Sequence, residues 1–371
     1  MRAEKRKKYI TWILVFLLVL SVPAVWLRVL LASRHMGSKE IVKLTGDHGT
    51  ITDRYDTVLY DGQCKAPEMV GNLIGGSPKL SKTLANLYAD EIAPAGFRIL
   101  SGIRSLDERV SRVMKTTLLP LKEQKWLQEA FGEYHGALFA FNYLTGEVYC
   151  MLSFPSSFAD DARDGAYTNR CLSSTYIPGS TMKIITVICA LEQDEELIHF
   201  KAVCTGALEL PGGDVVKCHG VHGEVDLVKG IGKSCNCYMA QLISRLDVQK
   251  TRETLEKLGI RTSSETEAAY VDRLRHTTGS TRFQSPHTFQ DVWSLIGQGD
   301  SLVSVIDMAL IAGCVANEGE VAVPYLVDSI YASDTGEAHY KRETGEMLRL
   351  IDKDTAKLVA QVWQQAVENH Y

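Results

Sequence analysis

The pattern of apolar and polar positions changes character several times along the chain. A nearly unbroken apolar run extends from about Tyr9 to Leu27 and resumes after Arg28 through Ala32. A helix needs about 20 such residues to cross a bilayer, so the run predicts a transmembrane anchor. Arg2, Lys5, Arg6, Lys7 and Lys8 precede it, and basic residues on that flank keep an N-terminus in the cytoplasm. Everything after Ala32 would then lie outside, with Arg28 snorkelling to the outer interface. The rival reading is a cleaved signal peptide with a small-residue site at Val22-Pro23-Ala24. The run is long for such a segment and continues past that site, which favours the anchor.

Beyond it the periods become those of a folded chain. Gly49-Thr50-Ile51-Thr52-Asp53-Arg54 leads into the alternating run Thr57–Tyr60, a strand pattern. Helical spacing follows at Ser81–Ala89 and at Ser105–Thr116, the latter opening on Asp107-Glu108-Arg109, acidic residues that suit a first turn. From Gly136 the chain turns β-like. Ala137–Tyr143 and Glu147–Ser153, joined by Leu144-Thr145-Gly146, predict a hairpin. Pro178-Gly179-Ser180 then opens a strongly apolar helix from Thr181 to about Gln193. Further helices are expected at Gly230–Leu246, Leu302–Asn317 and Asp354–Glu368. No repeat or low-complexity linker interrupts the pattern. It predicts an α+β fold, an antiparallel sheet flanked by helices. The expected division is 1–34 for cytoplasmic stub and anchor, 35–128 for a small N-terminal module, and 129–371 for the main domain.

Composition narrows the class. The chain has 371 residues and a net charge of −5, enough for two domains and without the basic face that nucleic acid would need. Nine cysteines all follow the apolar run. Cys204 and Cys218 bracket Pro211-Gly212-Gly213, so an extracellular hairpin disulfide is expected. Cys218, His219, His222, Cys235 and Cys237 lie close in sequence, but their spacing matches no standard zinc pattern. The stronger expectation is structural thiols or a disulfide, with no metal and no cofactor.

Two short constellations carry chemistry. Ser180 and Lys183 lie three residues apart at a helix start, so they share a face. A serine hydroxyl needs a base within hydrogen-bond reach, and a desolvated lysine can be that base. The helix N-terminus also presents N–H groups to a developing oxyanion. The bland alternative is a capping serine with a surface lysine, but Lys183 lies among Ile184, Ile185, Val187 and Cys189, where a cation needs a task. The second constellation is Ser234-Cys235-Asn236. From a turn, its hydroxyl and amide can face one cleft; alone it reads equally well as a helix cap.

Together the two resemble the penicillin-binding transpeptidases, whose pattern joins S-x-x-K to S-x-N some tens of residues later. Tyr176-Ile177-Pro178-Gly179-Ser180-Thr181-Met182-Lys183 is similar to the family's setting for its nucleophile. His222-Gly223, Gly297-Gln298-Gly299-Asp300 and Ala316-Asn317-Glu318-Gly319 with Pro324 resemble further family blocks in the expected order. Thr145–Val148 and Asn169-Arg170 resemble segments that precede the nucleophile, and Gly49–Arg54 the start of the pedestal in class B members. The resemblance covers residues 45–371. It implies a peptidoglycan D,D-transpeptidase that cross-links stem peptides through an acyl-serine and is trapped by β-lactams. It makes Ser180 the nucleophile, Lys183 the base, and Ser234 and Asn236 the proton shuttle and substrate clamp, with no cofactor. Gly297–Gly299 would shape the wall or floor of the domain, or be a plain turn. The implied partners are stem peptides, β-lactams, the cytoplasmic membrane and other cell-wall or division proteins. The family's third motif, Lys-Thr/Ser-Gly, is absent. Thr335-Gly336 follows Asp334, Thr344-Gly345 follows Glu343, and both read as loops. A fragment of a longer protein, with the 129–371 domain lacking its C-terminal strands, is the favoured expectation. The competing one is a truly short chain, of which little or no turnover is expected because the motif's strand supplies an oxyanion donor in the family. Two other classes remain open: an inactive membrane-anchored scaffold of the cell-wall machinery, and a β-lactam hydrolase or sensor.

Overall fold

The computed structural model describes residues 49–75, 82–92, 112–131, 134–155, 167–173, 175–262, 269–333, 335–343 and 345–370. The expected anchor and the first part of the Ser105–Thr116 segment lie outside them. Among the described residues no helix is long and apolar enough to cross a membrane.

The chain begins with β1 (Thr50–Thr52) and β2 (Val58–Tyr60), an antiparallel pair, and reaches β3 (Arg112–Thr116), which lies parallel to β1. The C-terminal part of the expected Ser105–Thr116 helix is therefore a strand. Val113, Thr116 and the buried Met114 suit a pleated, half-buried surface, and β3 has a partner on each side, which outweighs the helical spacing. The hairpin of β4 (Gly136–Phe141) and β5 (Val148–Phe154) stands where the sequence placed it. After α1 (Met182–Gln193) come four three-residue strands: β6 (Ala202–Cys204), β7 (Ala207–Glu209), β8 (Val215–Lys217) and β9 (Gly223–Val225). They pair as β6 with β9 and β7 with β8. Helices α2 (Leu227–Gly232) and α3 (Asn236–Ile243) follow, then α4 (Val305–Ala316) and β10 (Glu320–Ala322). The chain continues through β11 (Val327–Ala332), β12 (Ala338–Lys341), β13 (Met347–Arg349) and α5 (Lys353–His370).

The largest sheet has the order β12-β11-β3-β1-β2. It is mixed, not purely antiparallel, because β1 and β3 run parallel. It takes strands from both sides of the 128/129 boundary. β5 is tied to it by Thr117, whose hydroxyl donates to the carbonyls of Val148 (2.8 Å) and Tyr325 (3.1 Å). Arg54 adds an ion pair to Glu147 at 3.2 Å. Thr335-Gly336 lies in the turn between β11 and β12, and Gly345 between β12 and β13, as loops.

The buried side chains form two clusters. One lies between the large sheet and β5; the other is built around α1. Phe141 and Leu310 pack against both. From Met182 to Leu191, α1 buries every residue except Ile184, as a helix apolar on all sides must. α5 buries Ala356, Val359, Val362 and Ala366, one face at helical spacing, and packs across α1, α2 and α4.

The expected helix Gly230–Leu246 is two helices. The break falls at Ser234, whose φ of 48° is left-handed. The backbone closes α2 there through Ser234 N–H to Ile231 O (2.9 Å) and Cys235 N–H to Gly230 O (2.8 Å). Cys235 then caps α3, its sulfur accepting from Tyr238 N–H at 3.4 Å.

Candidate active site

The turn before α1 is held from two directions. Tyr176 exchanges backbone hydrogen bonds with Val303 (2.8 and 2.9 Å), and Gly179 N–H donates to Gly297 O at 2.8 Å. Gly179 has φ 57°, which lets the chain turn into the short 3₁₀ segment Gly179–Thr181. The Thr181 hydroxyl donates to Pro178 O at 2.7 Å. Gly297 has φ 97°, and a Cβ on it would lie 1.7 Å from the Gly179 carbonyl oxygen. Only glycine fits there. The Gly297–Gly299 block is thus the surface on which the Ser180 turn rests, a role its sequence alone did not separate from a plain turn.

Ser180 lies exposed at the head of this turn, while Lys183, one turn on, is only 2 % exposed. Lys183 Nζ donates to Ser234 O (2.7 Å), Asn236 Oδ1 (2.8 Å), Ser234 Oγ (2.9 Å) and, at the longest distance, Ser180 Oγ (3.3 Å). The Ser234 hydroxyl donates to Ser180 Oγ at 2.7 Å. Asn236 Nδ2 donates to Lys217 O at 3.1 Å, which fixes its oxygen towards the lysine. All four residues named from the sequence therefore meet at one point. The left-handed Ser234 is what aims both its carbonyl and its hydroxyl at Lys183. A non-glycine residue in that region costs about 1–3 kcal/mol, and the bonds to Lys183 offset it.

Burial lowers the Lys183 pKa to about 8, against an opposing upward pull from the Cys218 and Cys235 sulfurs. An ammonium has three protons to give, and three shorter contacts already use them. Losing one proton frees a lone pair beside Ser180 Oγ. The arrangement can therefore take up a serine proton near neutral pH, either directly or through the Ser234 hydroxyl.

A family model, that of the penicillin-binding protein transpeptidase domain, matches residues 136–371, more than half of the chain. The chain belongs to the penicillin-binding protein transpeptidase family. It is 28% identical over 304 residues to the peptidoglycan D,D-transpeptidase PbpA of Mycobacterium tuberculosis, covering 72% of this chain and 60% of that protein. It is 25% identical over 274 residues to the stage V sporulation protein D of Bacillus subtilis, covering 71% of this chain and 40% of that one. The chain thus spans about three fifths or less of the length of these relatives. In fold it is similar to the crystal structure of PBPA from M. tuberculosis, with a TM-score of 0.72 and 22% identity over 87% of this chain and 83% of that one. It is equally similar to the D,D-transpeptidase domain of a peptidoglycan glycosyltransferase from Eggerthella lenta, with a TM-score of 0.71 and 22% identity over 87% and 82%.

One block of the family pattern behaves unexpectedly here. His222, read as a landmark ahead of Ser234, is drawn into a cluster with Cys204, Cys218 and Cys235. The expected Cys204–Cys218 disulfide does not form: all nine cysteines are free thiols.

Proposed function

We propose that this chain carries the acylating centre of a peptidoglycan D,D-transpeptidase. The observation that carries the reading is the contact set of one buried lysine with Ser180, Ser234 and Asn236. Ser180 Oγ attacks the carbonyl carbon of the penultimate D-alanine in a stem peptide, and its proton passes to neutral Lys183. The carbon–nitrogen bond breaks, the leaving D-alanine amine takes that proton, and an acyl-serine remains. An amine of a neighbouring stem peptide then attacks the ester, Lys183 takes the amine proton and returns it to Ser180, and a cross-link results. Backbone N–H groups at the head of α1 stabilise the oxyanion. Asn236 holds both the lysine and the substrate amide.

A β-lactam fits the same scheme with its leaving group tethered, so the acyl-serine persists. The relative from M. tuberculosis has been crystallised as acyl-enzyme complexes with imipenem and penicillin G. We place the chain at the cytoplasmic membrane, with Tyr9–Ala32 as anchor, the catalytic domain outside, and other cell-wall or division proteins as neighbours. The basic cluster at Arg2–Lys8 supports that orientation.

Labelling with a fluorescent penicillin tests the reading. Label should appear and be lost in Ser180→Ala; label that persists in that variant would assign the chemistry elsewhere, and none in the parent would favour the scaffold. The pH dependence follows from Lys183. Its reactive form is the neutral amine, and burial brings its pKa down to about 8. The acylation rate should therefore rise with pH through that value and level off above it. A rate that is flat between pH 6 and about 9 would remove Lys183 as the base.

A further inference from the structure

Cys204, Cys218, His222 and Cys235 come from four separate places. They are the last residue of β6, the residue after β8, the residue before β9, and the cap of α3. Their ligand atoms nonetheless all lie within 4.8 Å of one another. The individual separations are more telling. Cys204 Sγ and Cys218 Sγ each lie 3.6 Å from His222 Nδ1, and Cys218 Sγ lies 3.8 Å from Cys235 Sγ. A tetrahedral zinc ion with bonds of about 2.3 Å to sulfur and about 2.1 Å to nitrogen sets its ligands at about 3.8 Å (sulfur to sulfur) and about 3.6 Å (sulfur to nitrogen). The three separations match that tetrahedron, and the 3.8 Å between Cys218 Sγ and Cys235 Sγ is far too long for a sulfur–sulfur bond of about 2.05 Å.

The surroundings hold the cluster together. His222 N–H donates to Cys204 O at 3.2 Å, and Cys218 N–H to Gly206 O at 2.9 Å. Lys229 Nζ donates to the carbonyls of His222 and Glu224, both at 2.8 Å. Tyr238 N–H donates to Cys235 Sγ at 3.4 Å, as outer donors do around a metal-bound thiolate. His219 and Cys237, close in sequence, stay outside: the His219 ring sits edge-on to His222, and Cys237 Sγ faces Val216 O at 3.9 Å.

We propose that Cys204, Cys218, His222 and Cys235 bind one zinc ion in a closed, four-ligand structural site. Three soft sulfurs and one imidazole in a tetrahedron select zinc over hard, oxygen-seeking cations. Binding exchanges the thiol protons for the cation. Cys235 lies between Ser234 and Asn236, and Cys218 follows Lys217, whose carbonyl holds the Asn236 amide. The ion therefore clamps the two small β-hairpins onto the turn that presents the S-x-N residues. It touches no reacting atom, so its role is to position that turn. The site stands on the ligand geometry and does not depend on the transpeptidase reading.

The test uses the full chain, purified with its thiols reduced. Elemental analysis should find about one equivalent of zinc. Exchange for Co2+ should give sulfur-to-cobalt charge-transfer and tetrahedral d–d absorption. Cys218→Ser and His222→Ala should each lose the ion or bind it at least tenfold more weakly; His222 is only half-buried, so its variant should stay folded by circular dichroism. Zinc removal should speed amide hydrogen exchange across 204–236. A folded, reduced chain that takes up neither metal, or a His222→Ala variant with unchanged affinity, would overturn the proposal. So would a Cys204–Cys218 disulfide in the purified protein.

Discussion

Replacing Lys183 by alanine lowers the rate of penicillin acylation at Ser180 by about 10²–10⁴-fold, the range general-base catalysis supplies. The nucleophile stays in place, because its turn is held by Val303 and Gly297 rather than by the lysine. What disappears is the acceptor for its proton. The same change strips donors from Ser234 O, Ser234 Oγ and Asn236 Oδ1. Ser234 then has less to offset its left-handed backbone, so some stability is lost as well. Stopped-flow acylation with a chromogenic cephalosporin reads the rate, and thermal melting reads the stability. A rate within threefold of the parent would mean that Ser180 is activated by another group.

Asp307→Ala has the largest expected effect on stability. Asp307 is 3 % exposed, and its carboxylate accepts from Gly279 N–H at 2.6 Å and Ser304 N–H at 3.2 Å. Ser304 answers by accepting from Asp307 N–H at 3.0 Å, completing a capping box at the start of α4. Truncation leaves two buried donors unpaired at about 1–3 kcal/mol each and removes part of the cap. A loss on the order of 3 kcal/mol or more in chemical denaturation is expected. The consequence reaches the site: Gly279 and Ser304 flank the segment in which Ser280 pairs with Leu302 and Val303 pairs with Tyr176. Acylation should therefore slow even in the folded fraction. A loss below about 0.5 kcal/mol, typical of surface substitutions, would contradict this.

The meeting of Ser180, Lys183, Ser234 and Asn236 was legible because each pair is local. Ser180 and Lys183 lie one helical turn apart, and Ser234 and Asn236 flank a single residue. A lysine in an apolar run already demanded a partner. The fold was legible where one period dominates, as in the β4–β5 hairpin and in α1, α4 and α5. It was not legible where distant partners decide. Arg112–Thr116 becomes a strand because β1 and β11 flank it, which no local spacing announces. The Gly230–Leu246 helix breaks at a left-handed serine, a conformation its residue type does not signal. Gly297 is indispensable because of a carbonyl more than a hundred residues earlier. The cysteine and histidine cluster hid for the same reason. Cys204 is brought to Cys218 by two nested hairpins, and Cys235 belongs to the S-x-N triplet, so the ligand spacing resembles no linear pattern. A disulfide was the simpler reading of Cys204 and Cys218; the histidine and third sulfur beside them changed it.

The claim on which the rest depends is that Ser180 is a nucleophile activated by Lys183. Intact-mass and peptide mass spectrometry after incubation with penicillin G tests it most directly. The account predicts one covalent adduct of the full penicillin mass on the peptide that contains Ser180, absent in Ser180→Ala and formed far more slowly in Lys183→Ala. An unmodified folded chain, or an adduct on any other residue, would contradict it.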